Sequence, residues 1–150
     1  MIRSQIEFTR DEVVAENGVV AGGHDLVART GVEVMQAGGN AVDAGVAAAF
    51  MAQLAEPGMC GVGGNGSILV HWADSGEITI FDDGPRAPSA ATPDMFEVLP
   101  GSGGFYGWDN VKDDANIVGH LSVGMPGTVA GLCEAHSRYG SIPLADLLAP

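Results

Sequence analysis

Cysteine is nearly absent from this chain: Cys60 and Cys133 are the only two in 150 residues. Two thiols so far apart make neither a disulfide framework nor a C-x-x-C metal or redox site, and both are expected to be small apolar core residues. Cations are scarce as well. Six Lys and Arg stand against 19 Asp and Glu, a formal net charge of -13. No basic surface is available to displace counterions, which argues against a nucleic-acid partner. No apolar run reaches the ~20 residues a membrane span needs, and the longest, "AVDAGVAAAFMAQLA" at 41–55, contains Asp43 and Gln53. The opening "MIRSQIEFTRDEVVAENG" has no apolar stretch of the kind a secretory signal requires, so residues 1–16 read as a polar leader and the cytoplasm is the expected compartment.

Glycine, by contrast, is abundant: 23 residues, about double the typical share of roughly 7%. With 46% hydrophobic and 17% charged residues, the composition is globular and the length fits a single core. So much glycine predicts tight turns and close backbone approach.

Along the chain, "NGVVAGGH" at 17–24 reads as a turn, a short strand and a glycine exit. "DLVARTGVEVMQAGG" places Leu26, Val27, Val34 and Met35 at helical spacing and puts Gly38 and Gly39 where a left-handed C-terminal cap belongs. Asn40 is then an N-cap for a buried alanine-rich helix at 41–55, with Asp43 three residues on, beside the free N–H groups of the first turn. "SILVHW" at 67–72 and "EITIFDD" at 77–83, joined through "DSG", predict an antiparallel hairpin. Residues 84–118 read as an exposed excursion, with a helical turn at "TPDMFEVL" where Thr92 caps and Pro93 leads. "GHLSVGM" is strand-like. "PGTVAGLCEAHSRYG" is a helix opened by Pro126, with Val129, Leu132, Cys133 and His136 along one stripe and Gly140 at its end. A last helix follows Pro143.

The stretch "GVGGNG" spaces Gly61, Gly63 and Gly66 as G-x-G-x-x-G, with Gly64 inside it. A dinucleotide loop of that spacing must follow a strand and open a helix, because the helix N-terminus holds the pyrophosphate. Here a helix precedes and a strand follows. No Lys follows Gly66, so a Walker loop fails too, and no nucleotide cofactor is expected. His24, His71, His120 and His136 lack ligand spacing with one another and are expected in packing or boundary positions, with no metal site. Asp82 and Asp83, adjacent on a strand, point to opposite faces and read as a solvated strand end. No G-x-S-x-G elbow is present, and Cys60 has no cation near it in sequence to lower its pKa. Arg86, in "DDGPRAP", is one of few cations. It reads either as a partner of Asp82 or Asp83 or as a guanidinium at a strand end that grips a substrate carboxylate.

Taken in order, "TGVEVMQAGGNAVDAGVAAAF", "AEPGMCGVGGNGSILV", "APSAATPDMF" and "VGMPGTVAGLCEAHSRYGSIPLADLLAP" resemble the N-terminal portion of the large subunit of the gamma-glutamyltranspeptidase family, over residues 17–150. "GGNAVDA" and "PGTVAGL" at this separation are specific together. The resemblance implies an α/β fold, the N-terminal-nucleophile hydrolase αββα sandwich, present here as its N-terminal portion. It also implies a self-cleaving precursor whose small subunit begins with the nucleophilic threonine, and acyl transfer from a gamma-glutamyl donor such as glutathione, or a related acyl amide, to water or an amino acid. No cofactor is implied. The partners implied are the small-molecule amide and the remainder of the precursor.

Two departures matter. None of Thr9, Thr30, Thr79, Thr92 or Thr128 matches the family's nucleophile motif, so the catalytic residues are expected outside this chain, which should be inactive alone. Aligned on Ala87 and Pro88, the family's carboxylate-binding arginine falls on Gly84, and Arg86 stands two places later, about 7 Å along an extended chain. An amide other than glutathione therefore stays open as donor. The contrasting expectation, from another class, is a non-catalytic, partner-binding polypeptide.

Overall fold

The computed structural model describes residues 12–101 and 105–149. Residues 1–11 of the predicted leader, and Thr9 with them, lie outside the described residues, and Glu12 to Glu16 are exposed and irregular.

Helix α1 spans Asp25–Gln36 and α2 spans Ala41–Ala55. At the start of α1 the His24 ring accepts a hydrogen bond from Leu26 N at 3.2 Å. At its end Gly38 adopts φ +99°, and Gly38 N and Gly39 N donate to Met35 O and Val34 O. That paired closure is the glycine cap expected from the sequence, and it needs a residue free to turn left-handed.

The chain then enters α2 directly. Asn40 Oδ1 accepts from Val42 N and Asp43 N, while Asp43 Oδ2 accepts from Asn40 N at 2.9 Å, a reciprocal box at the helix start. Val42, Ala44, Val46, Ala47 and Ala48 are buried, so nearly every face of α2 is covered. Gly31 of α1 makes this close packing possible, since a Cβ there would lie 3.3 Å from Ala44 O and 2.8 Å from Val20 Cγ1.

Strands β1 (Ser67–Trp72) and β2 (Glu77–Asp82) form an antiparallel hairpin closed at Gly76, φ +70°. The register pairs Ile68 with Phe81 and Val70 with Thr79 on the inner face, and Leu69 with Ile80 and His71 with Ile78 on the outer. Phe81 is buried, whereas Leu69, Ile78 and Ile80 stand 64%, 61% and 64% exposed. Helix α3 (Thr128–Tyr139) lies against the inner face and α4 (Leu144–Leu147) follows it. Leu132 and Leu147 meet Val42, Val46 and Ala47 in the core, each large side chain contributing about 2 kcal/mol by leaving water. Tyr139 locks α3 to the hairpin: its hydroxyl bonds Thr79 Oγ1 at 2.7 Å and its ring stacks on Trp72 at 5.6 Å.

Four expectations are corrected. Residues 18–22 form no strand, because no described strand pairs with them; Val20 instead packs on Gly31. "TPDMFEVL" makes one turn, Met95 N to Thr92 O, and then extends so that Val98 bridges Val111. "GHLSVGM" contains a 3-10 turn at His120–Ser122, and only Met125 pairs, with Arg86. In α3 the N-cap is Gly127, and the most buried residue is Ala135 rather than Val129, which is 39% exposed.

Candidate functional site

Three segments meet at the end of β2: the glycine loop, the strand end at Asp82 to Arg86, and the first turns of α3. Gly64 lies against the loop's own backbone, where a Cβ would sit 2.8 Å from Gly61 O and 3.5 Å from Thr128 Oγ1. Gly66 borders the Asp83 carboxylate, its Cβ position 3.5 Å from Oδ1. Gly61 and Gly63 face open space. None of these four has positive φ, so close approach at Gly64, and not left-handed backbone, is what demands glycine in the loop.

Asp83 is the surprise of this region. β2 ends at Asp82, and the next residue turns inward: Asp82 is exposed, while Asp83 retains only 7% exposure. The solvated strand end expected for both therefore holds for Asp82 alone. Helix α3 closes over Asp83 through two glycines one turn apart. A Cβ at Gly127 would collide with the Asp83 carbonyl, and one at Gly131 would lie 2.6 Å from Asp83 Cβ. The carboxylate thus sits beside the first turn of α3, where N–H groups without a side-chain cap leave partial positive charge. Even so, Asp83 Oδ1 and Thr128 Oγ1 are buried and have no hydrogen-bond partner.

Arg86 is exposed, and its carbonyl accepts from Met125 N at 2.8 Å. Among the described residues no ion pair joins it to Asp82 or Asp83, although all three line one cavity of about 340 Å³ with Gly127, Gly131 and Glu134. The guanidinium is thereby left available at a strand end.

A second polar cluster escaped the sequence reading. Asp43, fully buried, accepts from Ser141 Oγ at 2.5 Å and from Ser141 N and Ile142 N, besides Asn40 N. Burial works against its charge, but the Ser141 hydroxyl and these backbone donors prevail and hold the carboxyl below its ordinary value. His136 Nε2 lies 2.7 Å from Ile142 O and 3.5 Å from Asp43 Oδ1. In a nucleophilic triad the imidazole stands between hydroxyl and carboxylate. Here the carboxylate stands between them, so the cluster ties α2 to the α3–α4 turn and has no means of activating Ser141. The visible signal was Asp43 at the third position of α2. Its long-range partners carry no local signature. Cys60 and Cys133 are both partly buried, and Cys60 Sγ donates to Ala52 O at 3.2 Å.

The sequence model of the family described as Gamma-glutamyltranspeptidase matches residues 27–150. An "Acylase ACY 1 proenzyme" of Pseudomonas sp. (strain V22) is 40% identical over 96% of this chain and 26% of its own length. A "Glutathione hydrolase proenzyme" of Bacillus subtilis (strain 168) is 36% identical over 91% of this chain and 22% of its own. Among solved structures, the Helicobacter pylori gamma-glutamyltranspeptidase superposes with a TM-score of 0.78 at 33% identity, over 92% of this chain and 37% of that one. The chain spans about a quarter of the length of the curated relatives it matches.

Proposed function

The chain belongs to the gamma-glutamyltranspeptidase family, and from that membership we propose that it is the leading part of an enzyme that moves an acyl group from an amide donor to water or to an amine. Its fold is the N-terminal portion of the N-terminal-nucleophile hydrolase sandwich. The observation that carries the reading is the match over residues 27–150, with relatives named acylase and glutathione hydrolase proenzymes.

In this reading the nucleophile is a threonine that heads a later segment of the precursor, with its own amine as base, and oriented N–H groups stabilise the tetrahedral oxyanion. Residues 17–150 supply the scaffold around that centre: the loop from Gly61 to Gly66, the strand end, and the start of α3. Arg86 is the candidate for holding a carboxylate of the donor through two parallel hydrogen bonds. The remainder of the precursor is the expected partner, and the exposed apolar outer face of the hairpin, Leu69, Ile78 and Ile80, supports this. By itself the chain is catalytically silent.

The choice of donor is open between gamma-glutamyl amides and other acyl amides. Glycine at position 84, where the family's clamp arginine aligns, together with the acylase relative at 40% identity, favours the second. Expression of the whole reading frame tests the proposal. Self-cleavage into two chains, with release of p-nitroaniline from acyl p-nitroanilides, is expected; an uncleaved product without amidase activity sinks it.

A further inference from the structure

We propose that Asn65, in the glycine loop, is a site of spontaneous covalent modification, at which the Gly66 amide nitrogen attacks the Asn65 side chain and converts it to aspartate and isoaspartate. This chemistry belongs to the chain itself and needs no acyl-transfer activity. Of five asparagines, Asn17 and Asn65 are followed by glycine. The same two are exposed, whereas Asn40, Asn110 and Asn116 are partly buried.

Ring closure requires the nitrogen of the next residue to reach back to the side-chain carbonyl carbon. A following glycine has no Cβ to obstruct that approach and turns into it freely. At Asn65 both reacting groups are unengaged: among the described residues neither its carboxamide nor the Gly66 N–H makes a hydrogen bond. The partly buried asparagines are held back. The Asn40 carboxamide is occupied by Val42 N, Asp43 N and Tyr139 O. Behind Asn116 the nitrogen of Ile117 donates to Asp114 O at 2.8 Å, and behind Asn110 stands Val111, buried and branched at Cβ.

In the first step the Gly66 nitrogen loses its proton and bonds to Asn65 Cγ, and the side-chain nitrogen leaves as ammonia. Water then opens the resulting succinimide. Cleavage of the bond to Cγ restores the main chain with aspartate at 65, and cleavage of the bond to the main-chain carbonyl leaves isoaspartate. Either product adds a negative charge beside the cavity that Asp82, Asp83 and Glu134 already line. Isoaspartate also lengthens the main chain by a methylene. The loop has little room for it, since Gly64 N closes on Gly61 O at 2.8 Å and Gly66 borders the Asp83 carboxylate. Modification should therefore displace the loop and weaken the fold around it.

The test ages protein expressed from the whole reading frame in warm, mildly alkaline buffer and maps its peptides by mass spectrometry, with electron-transfer fragmentation to tell isoaspartate from aspartate. Asn65 is expected to yield both products, faster as pH rises, while Asn40, Asn110 and Asn116 stay intact. Gly66→Ala places its methyl 3.5 Å from Asp83 Oδ1, an ordinary contact, and should slow the conversion roughly 10-fold. The melting temperature of the wild type should fall as isoaspartate accumulates. An Asn65 that survives while Asn17 converts overturns the inference, as does conversion to aspartate alone or an undiminished rate in Gly66→Ala. A melting temperature that holds despite isoaspartate at 65 overturns the displacement of the loop. None of these outcomes bears on self-cleavage or amidase activity, so the acyl-transfer reading stands or falls separately.

Discussion

Asp43 and Ser141, 98 residues apart in sequence, are joined by a 2.5 Å hydrogen bond in which the hydroxyl donates to the carboxylate. Asn40 adds a second tie, its Nδ2 donating to Tyr139 O at 2.6 Å. The start of α2 is thus held to the end of α3 by two neighbouring polar side chains, and the apolar core lies between the same helices. Replacing Asp43 with Ala strands Asn40 N, Ser141 N, Ser141 Oγ and Ile142 N. We expect a loss of roughly 3 kcal/mol or more, with Asp43→Asn losing less because one acceptor oxygen survives. Urea denaturation of the two variants checks the order; equal stability of wild type and Asp43→Ala would refute the tie.

The same carboxylate predicts an acid limb of stability. Its folded-state pKa lies below the ordinary 3.8, so between the two values the unfolded chain binds more protons than the folded one, and stability rises with pH. The contribution is complete above the unfolded value, begins to fall as pH drops through 3.8, and is lost once pH passes below the folded value. Asp43→Asn should flatten this part of the stability profile. A variant that keeps the full wild-type slope below pH 4 would exclude Asp43 as its source.

Glycines on this scaffold are not equivalent. Gly127→Ala drives a methyl into the Asp83 carbonyl, and Gly131→Ala drives one to 2.6 Å from Asp83 Cβ; each should destabilise by about 1–3 kcal/mol through overpacking. Gly45 of α2 has nothing within 4 Å, so Gly45→Ala should stabilise the chain by about 0.5–1 kcal/mol from helix propensity alone. Thermal melts of the three variants should therefore shift in opposite directions.

In the glycine loop, Gly64→Ala should destabilise through the 2.8 Å approach to Gly61 O, while Gly61→Ala and Gly63→Ala are tolerated. The loop follows α2 and leads into β1, with no helix start behind it. NAD should leave the melting temperature unchanged; a clear rise would show a nucleotide site after all.

Arg86→Ala in the processed enzyme should raise KM for gamma-glutamyl p-nitroanilide by roughly 10-fold, the size expected on removing a charge-assisted contact. KM for a donor without a carboxylate should hold. Equal effects on the two donors would reduce Arg86 to a structural residue.

Much of the local structure was legible from neighbouring residues. The cap at Gly38, the box of Asn40 and Asp43, and the alternation of Ile68, Val70 and Phe81 each depend on contacts or periodicity within a few positions. The segment order likewise sufficed to point to the family. Reading failed where an element needs a distant partner. "NGVVAGGH" and "GHLSVGM" have strand composition, but a strand exists only beside another, and neither has a ladder among the described residues.

Tertiary structure alone separated two adjacent aspartates. Asp82 faces water and binds the next turn through Gly84 N, whereas Asp83 is enclosed because α3 carries glycine at 127 and 131 and can close upon it. Likewise, what made Asp43 more than a helix cap was the return of the chain at Ser141. Sequence determines local preference, because propensities, caps and turns act over a few residues. Burial and long-range pairing belong to the fold, since they depend on which distant segment comes to lie alongside.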